Sequence, residues 1–320
     1  MRTRMETGGR AMAVYEHLYG AYEGESHSAW SRFLVIPRYA LRETFKSKLF
    51  TTVFILCFIY PLVATILVYL HHNVNALALL QINVRELLPI NASFFRSFVE
   101  LQCGFAFILT VLVAPPLISR DLSNNALPLY LCRPLSRAEY VLGKMAVVVF
   151  LLSLVTWIPG LLIFFFQASL AGIGWLWSNL WMIWAIFSGC MVWIILLSLL
   201  ALAVSSVVKW RVVASGALLG LFFVPSAFGE IVNQLFLTRA GHLISLWATM
   251  DSIWRGLFGL FVRQTGQIRG KVSNPIYDEQ FFDIALLEPP LWASWLVIAL
   301  VCAVCVWLLA RKVRAYEVIK

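Results

Sequence analysis

Apolar residues in this chain come in long runs separated by short polar stretches. Residues 50–70 carry no charge, and residues 98–118 carry only Glu100. Residues 145–208 carry none, enough for two helical crossings joined by a turn, and residues 212–229 and 289–310 complete the series. A bilayer core roughly 30 Å thick takes about 20 apolar residues per helix. The pattern predicts an all-α, polytopic membrane protein. Its six spans are expected near 50–70, 98–118, 145–167, 182–208, 212–235 and 289–310.

The intervening stretches refine this picture. Residues 1–36 read as a mixed, polar N-terminal segment, and 37–320 as one six-span domain. From Pro37, Leu41, Phe45 and Leu49 recur at every fourth position beside a second stripe of Arg38, Arg42 and Lys46. Pro37 suits a first helical turn, and an apolar stripe beside a basic one predicts a helix lying in the membrane interface. No early apolar core precedes the first span, which is therefore expected to direct its own insertion. Pro61, Pro115–Pro116, Pro159 and Pro225 lie within or at the ends of spans and predict breaks there. Trp175, Trp177, Trp181 and Trp184 gather at the turn between spans three and four, as in an interfacial aromatic belt.

The segment 236–288 has a helical face of Leu246, Met250, Ile253, Trp254, Leu257, Phe258 and Phe261. It reads as an outer amphipathic or re-entrant helix rather than a seventh span, because a span would bury Asp251 and Arg255 at mid-membrane. Residues 263–288 read as a solvated loop.

Charge then orients the chain. The sequence has 25 Lys and Arg against 16 Asp and Glu, a formal net charge of +9. Six spans place 18 of the 25 basic residues on the side holding both termini. Basic residues accumulate in the cytoplasm, so both termini are expected there, in a cell membrane. This distribution explains the charge as topology plus attraction to lipid headgroups, without nucleic acid. The six cysteines lie mostly within spans, as small apolar residues do, and Cys302 and Cys305 share a face of the last span.

No phosphate-cradling motif, nucleophile elbow or metal-ligand spacing is present, so no catalytic residue, metal or cofactor is expected. Among residues inside spans, Glu100 and Glu230 are the ionisable ones, both near outer ends. With Asn233 and Gln234 they form a candidate outer polar vestibule. A lipid-acting membrane enzyme would need a convergent His, Asp and Glu set that the sequence does not show. A non-transporting scaffold subunit is a further alternative.

The stretch LISRDLSNNALPLYLCRPLSRAEYVLGK (117–144) stands apart from the runs around it. Leu127, Leu129, Tyr130 and Leu131 sit beyond the membrane, rimmed by Arg120, Asp121, Arg133 and Arg137. Apolar residues ringed by charge point to a protein contact, and a loop hugging lipid headgroups reads equally well from the residues alone. Ser136 and Glu139 have capping-box spacing for the helix that follows.

This stretch resembles the membrane permeases of type-2 ATP-binding-cassette exporters. The likeness rests on Asp121 after span two, the apolar ALPLYL, then Pro134, Leu135, Ser136, Arg137, Tyr140, Gly143 and Lys144. Asp121 stands where the family more often has glutamate, and Pro128 lies inside the apolar stretch. The resemblance implies a coupling helix that docks on a separate ATPase, with Arg120, Asp121, Leu127, Pro128, Tyr130, Arg133, Pro134, Arg137, Glu139, Tyr140 and Lys144 at or around the contact. It further implies a second permease, either identical or closely related, and ATP and Mg held by the ATPase alone. The transported substrate is not implied.

Overall fold

The computed structural model describes residues 29–73, 89–123, 137–208, 210–236, 238–262, 264–274 and 277–312. Within them, six helical stretches are long and apolar enough to cross a membrane: Lys48–His72, Ala92–Leu117, Ala138–Ala171, Trp181–Val207, Arg211–Phe236 and Leu291–Lys312. Each overlaps its predicted run. Ser123 and Arg137 mark one end of this bundle, here called the loop side; His72, Ala92 and Leu291 mark the other, here called the hairpin side.

The first element, α1 (Ala29–Phe45), begins eight residues before the predicted start, so Pro37 lies inside it. Arg38 and Arg42 on it are exposed, as are Lys46 and Leu49 beyond it. The first span is divided into α2 (Lys48–Leu56) and α3 (Ile59–His72). A proline ring clashes with the carbonyl four residues back, which for Pro61 is that of Cys57. The helix opens there. Span two is α4 (Ala92–Ser123), and Gln102 Nε2 on α4 donates to the freed Cys57 carbonyl at 2.9 Å.

Span three follows the same rule: α5 (Arg137–Val155) stops at the residue four before Pro159, and α6 (Trp157–Ala171) resumes. Pro115–Pro116 behaves otherwise. It was expected to end span two, yet α4 continues to Ser123. Serines of the fourth span, α8 (Trp181–Val207), and of the fifth account for this. Ser205 Oγ donates to the Pro115 carbonyl at 2.6 Å and accepts from Ser119 N at 3.0 Å. Ser215 Oγ, on the fifth span, donates at 3.0 Å to the Val111 carbonyl, the one that Pro115 orphans. Pro225 likewise leaves span five, α9 (Arg211–Phe236), unbroken.

A short helix, α7 (Ile173–Asn179), joins α6 to α8, with Trp177 and Trp184 exposed as in an interfacial belt. Burial makes α8 the hub: 67% of its apolar window is covered, against 22% for spans one and five. All of residues 193–203 except Ile195 are buried. A helix apolar all round belongs inside a bundle. The uncovered apolar faces of spans one and five lose nothing against lipid tails, which are as apolar as leucine.

After α9 the chain turns back through a 3-10 turn (Ala240–Leu243) into α10 (Leu246–Leu257). At 12 residues, α10 is about 18 Å long, too short to span. It is re-entrant. A Cβ built on Gly104, thirteenth in α4, would stand 3.5 Å from the Trp247 ring, whereas Asp251 pairs with Arg96 near the start of α4. So α10 begins deep and climbs back to the hairpin side. Leu246, Met250, Ile253, Trp254 and Phe258 of the predicted face are buried, and Leu257 and Phe261 are partly so. Trp193, Trp247 and Trp254 meet edge to face at 5.3–5.9 Å, and Trp254 Nε1 donates to the Gly189 carbonyl at 3.2 Å.

The fold is not wholly helical. Where a solvated loop was expected, β1 (Gln264–Asn274) and β2 (Tyr277–Leu287) form an antiparallel hairpin, paired from Gln267↔Ala285 to Val272↔Gln280. β-branched Ile268, Val272 and Ile284 and aromatic Tyr277, Phe281 and Phe282 favour extended chain. The last span is α11 (Leu291–Lys312). Cys302 and Cys305 on it are free thiols.

Candidate functional site

Polar side chains gather in two places, one on each side of the bundle. On the loop side, α4 ends and α5 begins close together, separated in sequence by 124–136. Asp121 lies near the end of α4, and Tyr140 and Lys144 lie one turn apart on α5. They converge. Lys144 Nζ stands 2.9 Å from Asp121 Oδ2, and the Tyr140 hydroxyl donates to the same oxygen at 2.6 Å. Lys144 also lies 5.7 Å from the Tyr140 ring centroid, within cation–π range. The Tyr140 residue is 1% exposed and Lys144 7%. A carboxylate this covered needs both partners, so the triad fastens the two ends of the connection together.

Their spacing in the sequence left this convergence open. Arg120 falls on α4, Arg137 opens α5, and Glu139 lies in its first turn. Leu127, Pro128, Tyr130, Arg133, Pro134 and Ser136 lie outside the described residues. The triad borders a cleft of about 910 Å³ between α1, α2, α4 and α9, where Lys46 and Arg211 also face the opening.

On the hairpin side the expected vestibule is only partly assembled. Glu100 is drawn away into a chain of alternating charge. Arg96 Nη2 meets Glu100 Oε2 at 2.9 Å and also pairs with Asp251. Asp251 Oδ2 faces Arg255 Nε at 3.0 Å, and Arg255 Nη1 donates to Glu288 Oε1 at 2.9 Å. The chain ties α4 and α10 to the base of the hairpin at Glu288, which is 2% exposed. Arg96 and Glu288 were not singled out in the sequence. The signal available was two complementary pairs at i,i+4, Arg96/Glu100 and Asp251/Arg255.

Asn233 is structural: its Oδ1 accepts from Gly241 N at 2.8 Å and holds the 3-10 turn against α9. Gln234 Nε2 donates to Glu230 Oε1 at 3.4 Å. Glu230 does line a cavity, of about 500 Å³, between α4, α9, the 3-10 turn and the deep end of α10. Among the described residues no cluster of three or more His, Cys, Asp or Glu suits a metal.

His242 borders the same cavity. Its pKa is lowered, chiefly by burial and then by the nearby Arg239 charge, with Glu288 and Glu230 opposing. A base whose folded pKa lies below its unfolded value binds fewer protons when folded, so stability falls as pH drops below about 6.5. Between pH 7.5 and 5.5 the wild-type Tm is expected to fall further than that of His242→Gln. Equal falls would show that His242 does not contribute to the acid response.

No known family profile matches this chain, and no curated protein matches it in sequence.

Proposed function

We propose that this chain is the permease subunit of a two-component ATP-driven exporter. Two copies, or one copy and a close relative, pair around a pathway, and each receives a separate ATPase on the loop side. In this reading both termini lie in the cytoplasm of a cell membrane, and ATP and Mg bind the ATPase alone. The observation that carries it is the largely buried Asp121–Tyr140–Lys144 triad, which ties the end of α4 to the start of α5 across a connection whose sequence sets apolar residues between charged ones. A loop that merely skirts lipid needs no such clamp. A loop that receives force does, because motion applied to it passes into α4 and α5 only if its ends cannot yield. ATP-dependent closure of the ATPases would press on the connection. The difference in contact energy between the two closure states then shifts the permease between inward- and outward-facing states.

The test is the double variant Tyr130→Ala with Arg137→Glu, expressed with its cognate ATPase. Loss of an interface anchor costs on the order of 2 kcal/mol of affinity, and reversal of a rim charge weakens docking in a salt-dependent way. The variant is expected to insert normally, lose the ATPase on co-purification and lose transport-coupled hydrolysis. Full retention of both would remove the loop from the mechanism.

A further inference from the structure

We propose that the hairpin-side cavity is a binding site for amphiphilic organic cations, and that such cations are a substrate class of the exporter. The second clause rests on the proposed function; the first does not.

Size and depth come first. At about 500 Å³ the cavity falls in the usual range for small-molecule sites, and it reaches the deep end of α10. Its walls are aromatic: Phe107 from α4, Phe222 and Phe223 from α9, and Trp247 from α10. Phe107 and Phe222 lie 4.5 Å apart at 54°, and Phe107 and Phe223 lie 6.5 Å apart, near-perpendicular at 71°. Contacts behind them hold two of the four rings. Trp193 abuts Phe222 at 5.7 Å and Trp247 at 5.3 Å, and its Nε1 donates to the Cys103 carbonyl at 2.9 Å. Rings held in place before binding cost little to order on binding.

Charge selects the ligand. Among the residues lining the cavity, Glu230 carries a full negative charge and none carries a full positive one, since burial favours neutral His242. The hydroxyls of Ser226 and Ser245 are satisfied by each other at 2.8 Å. The positive end of α10 opposes a cation with about half a charge, and the Ser245 hydroxyl already occupies one of its amides, Ala248 N, at 3.2 Å. A whole carboxylate outweighs that. Aromatic faces carry negative quadrupole and attract an ammonium or phosphonium that has shed its water. Apolar bulk with one delocalised positive charge fits these walls; an anion of the same shape meets Glu230.

The experiment uses two ions of matched shape, tetraphenylphosphonium and tetraphenylborate, with the full-length permease in phosphatidylcholine nanodiscs. Equilibrium dialysis against empty nanodiscs removes partition into lipid. Tetraphenylphosphonium is expected to bind in excess of the blank, and tetraphenylborate is not. Glu230→Gln, on the exposed rim, should weaken phosphonium binding about tenfold, the size of losing one charged contact, with an unchanged gel-filtration profile. Phe107→Leu should weaken it too while keeping the preference for the cation. Equal binding of the two ions, no binding of either, or an unaltered affinity in Glu230→Gln would overturn the assignment. No ATPase is present, so this outcome is independent of whether the loop couples to one.

Discussion

Lys144→Met is expected to destabilise the protein by about 3–5 kcal/mol, because it leaves the Asp121 carboxylate covered and short of its cation. Lys144 is buried and its Nζ stands 2.9 Å from Asp121 Oδ2, so solvent does little to offset the loss. The double variant Asp121→Asn with Lys144→Met removes both charges and leaves an acceptor for the Tyr140 hydroxyl. It should recover most of the stability, since losing both members of a buried pair costs far less than losing one. ATPase association should remain impaired in the double variant, because the connection between α4 and α5 is no longer pinned by charge. Thermal unfolding and ATPase co-purification, run on the same three proteins, separate the two effects. If the double variant recovers stability and ATPase binding together, the triad serves the fold and not the coupling.

A comparable loss is expected where α9 meets the 3-10 turn. A Cβ on Gly241 would fall inside contact distance of the Gly229 carbonyl and of Asn233 Oδ1, and one on Gly229 would strike the Gly241 carbonyl. The obstacle is backbone on both sides and cannot swing away. Gly241→Ala should cost about 3 kcal/mol, the upper end for forced overpacking. Gly216 and Gly220 on the same α9 face open space, with nothing within 4 Å of an added Cβ. Alanine at either should be neutral or stabilise by about 0.5–1 kcal/mol, since glycine is a poor helix former. A Tm series over the three variants checks the contrast, and similar shifts at all three positions would discredit the packing argument.

The spans were readable because hydrocarbon imposes one simple demand, a run of apolar residues long enough to cross. The helix breaks at Pro61 and Pro159 were readable to within four residues, since a proline disturbs the carbonyl four positions before it. The one expected at Pro225 is absent. Pro115–Pro116 misled because its supports lie on other helices: Ser215 serves the Val111 carbonyl from 104 residues away, and Ser205 bridges Pro115 and Ser119. No local pattern announces such a partner. Helix α10 showed its face in the sequence, and at 12 residues it is too short for the seventh crossing that Asp251 and Arg255 argued against. Their partners Arg96 and Glu288 come from α4 and the base of the hairpin, distant in sequence from α10. The hairpin was missed because polar residues and Gly270 dilute its alternation, so it read as loop. At the loop-side site Asp121, Tyr140 and Lys144 were singled out, but only the folded chain shows that they share one carboxylate oxygen.

The dependence of α4 on Ser205 has a consequence for how the protein is made. The chain is synthesised from the N-terminus at roughly 5–20 residues per second, so Ser205 follows Pro115 by on the order of 5–20 s. During that interval the second span has already emerged, yet the Pro115 carbonyl and the Ser119 amide lack the hydroxyl that will serve them. The stretch of α4 that carries Asp121 therefore sets late, after the fourth span has been threaded beside it. A nascent chain halted before residue 205 would hold its first three spans and still lack a finished loop side until the hub helix is in place.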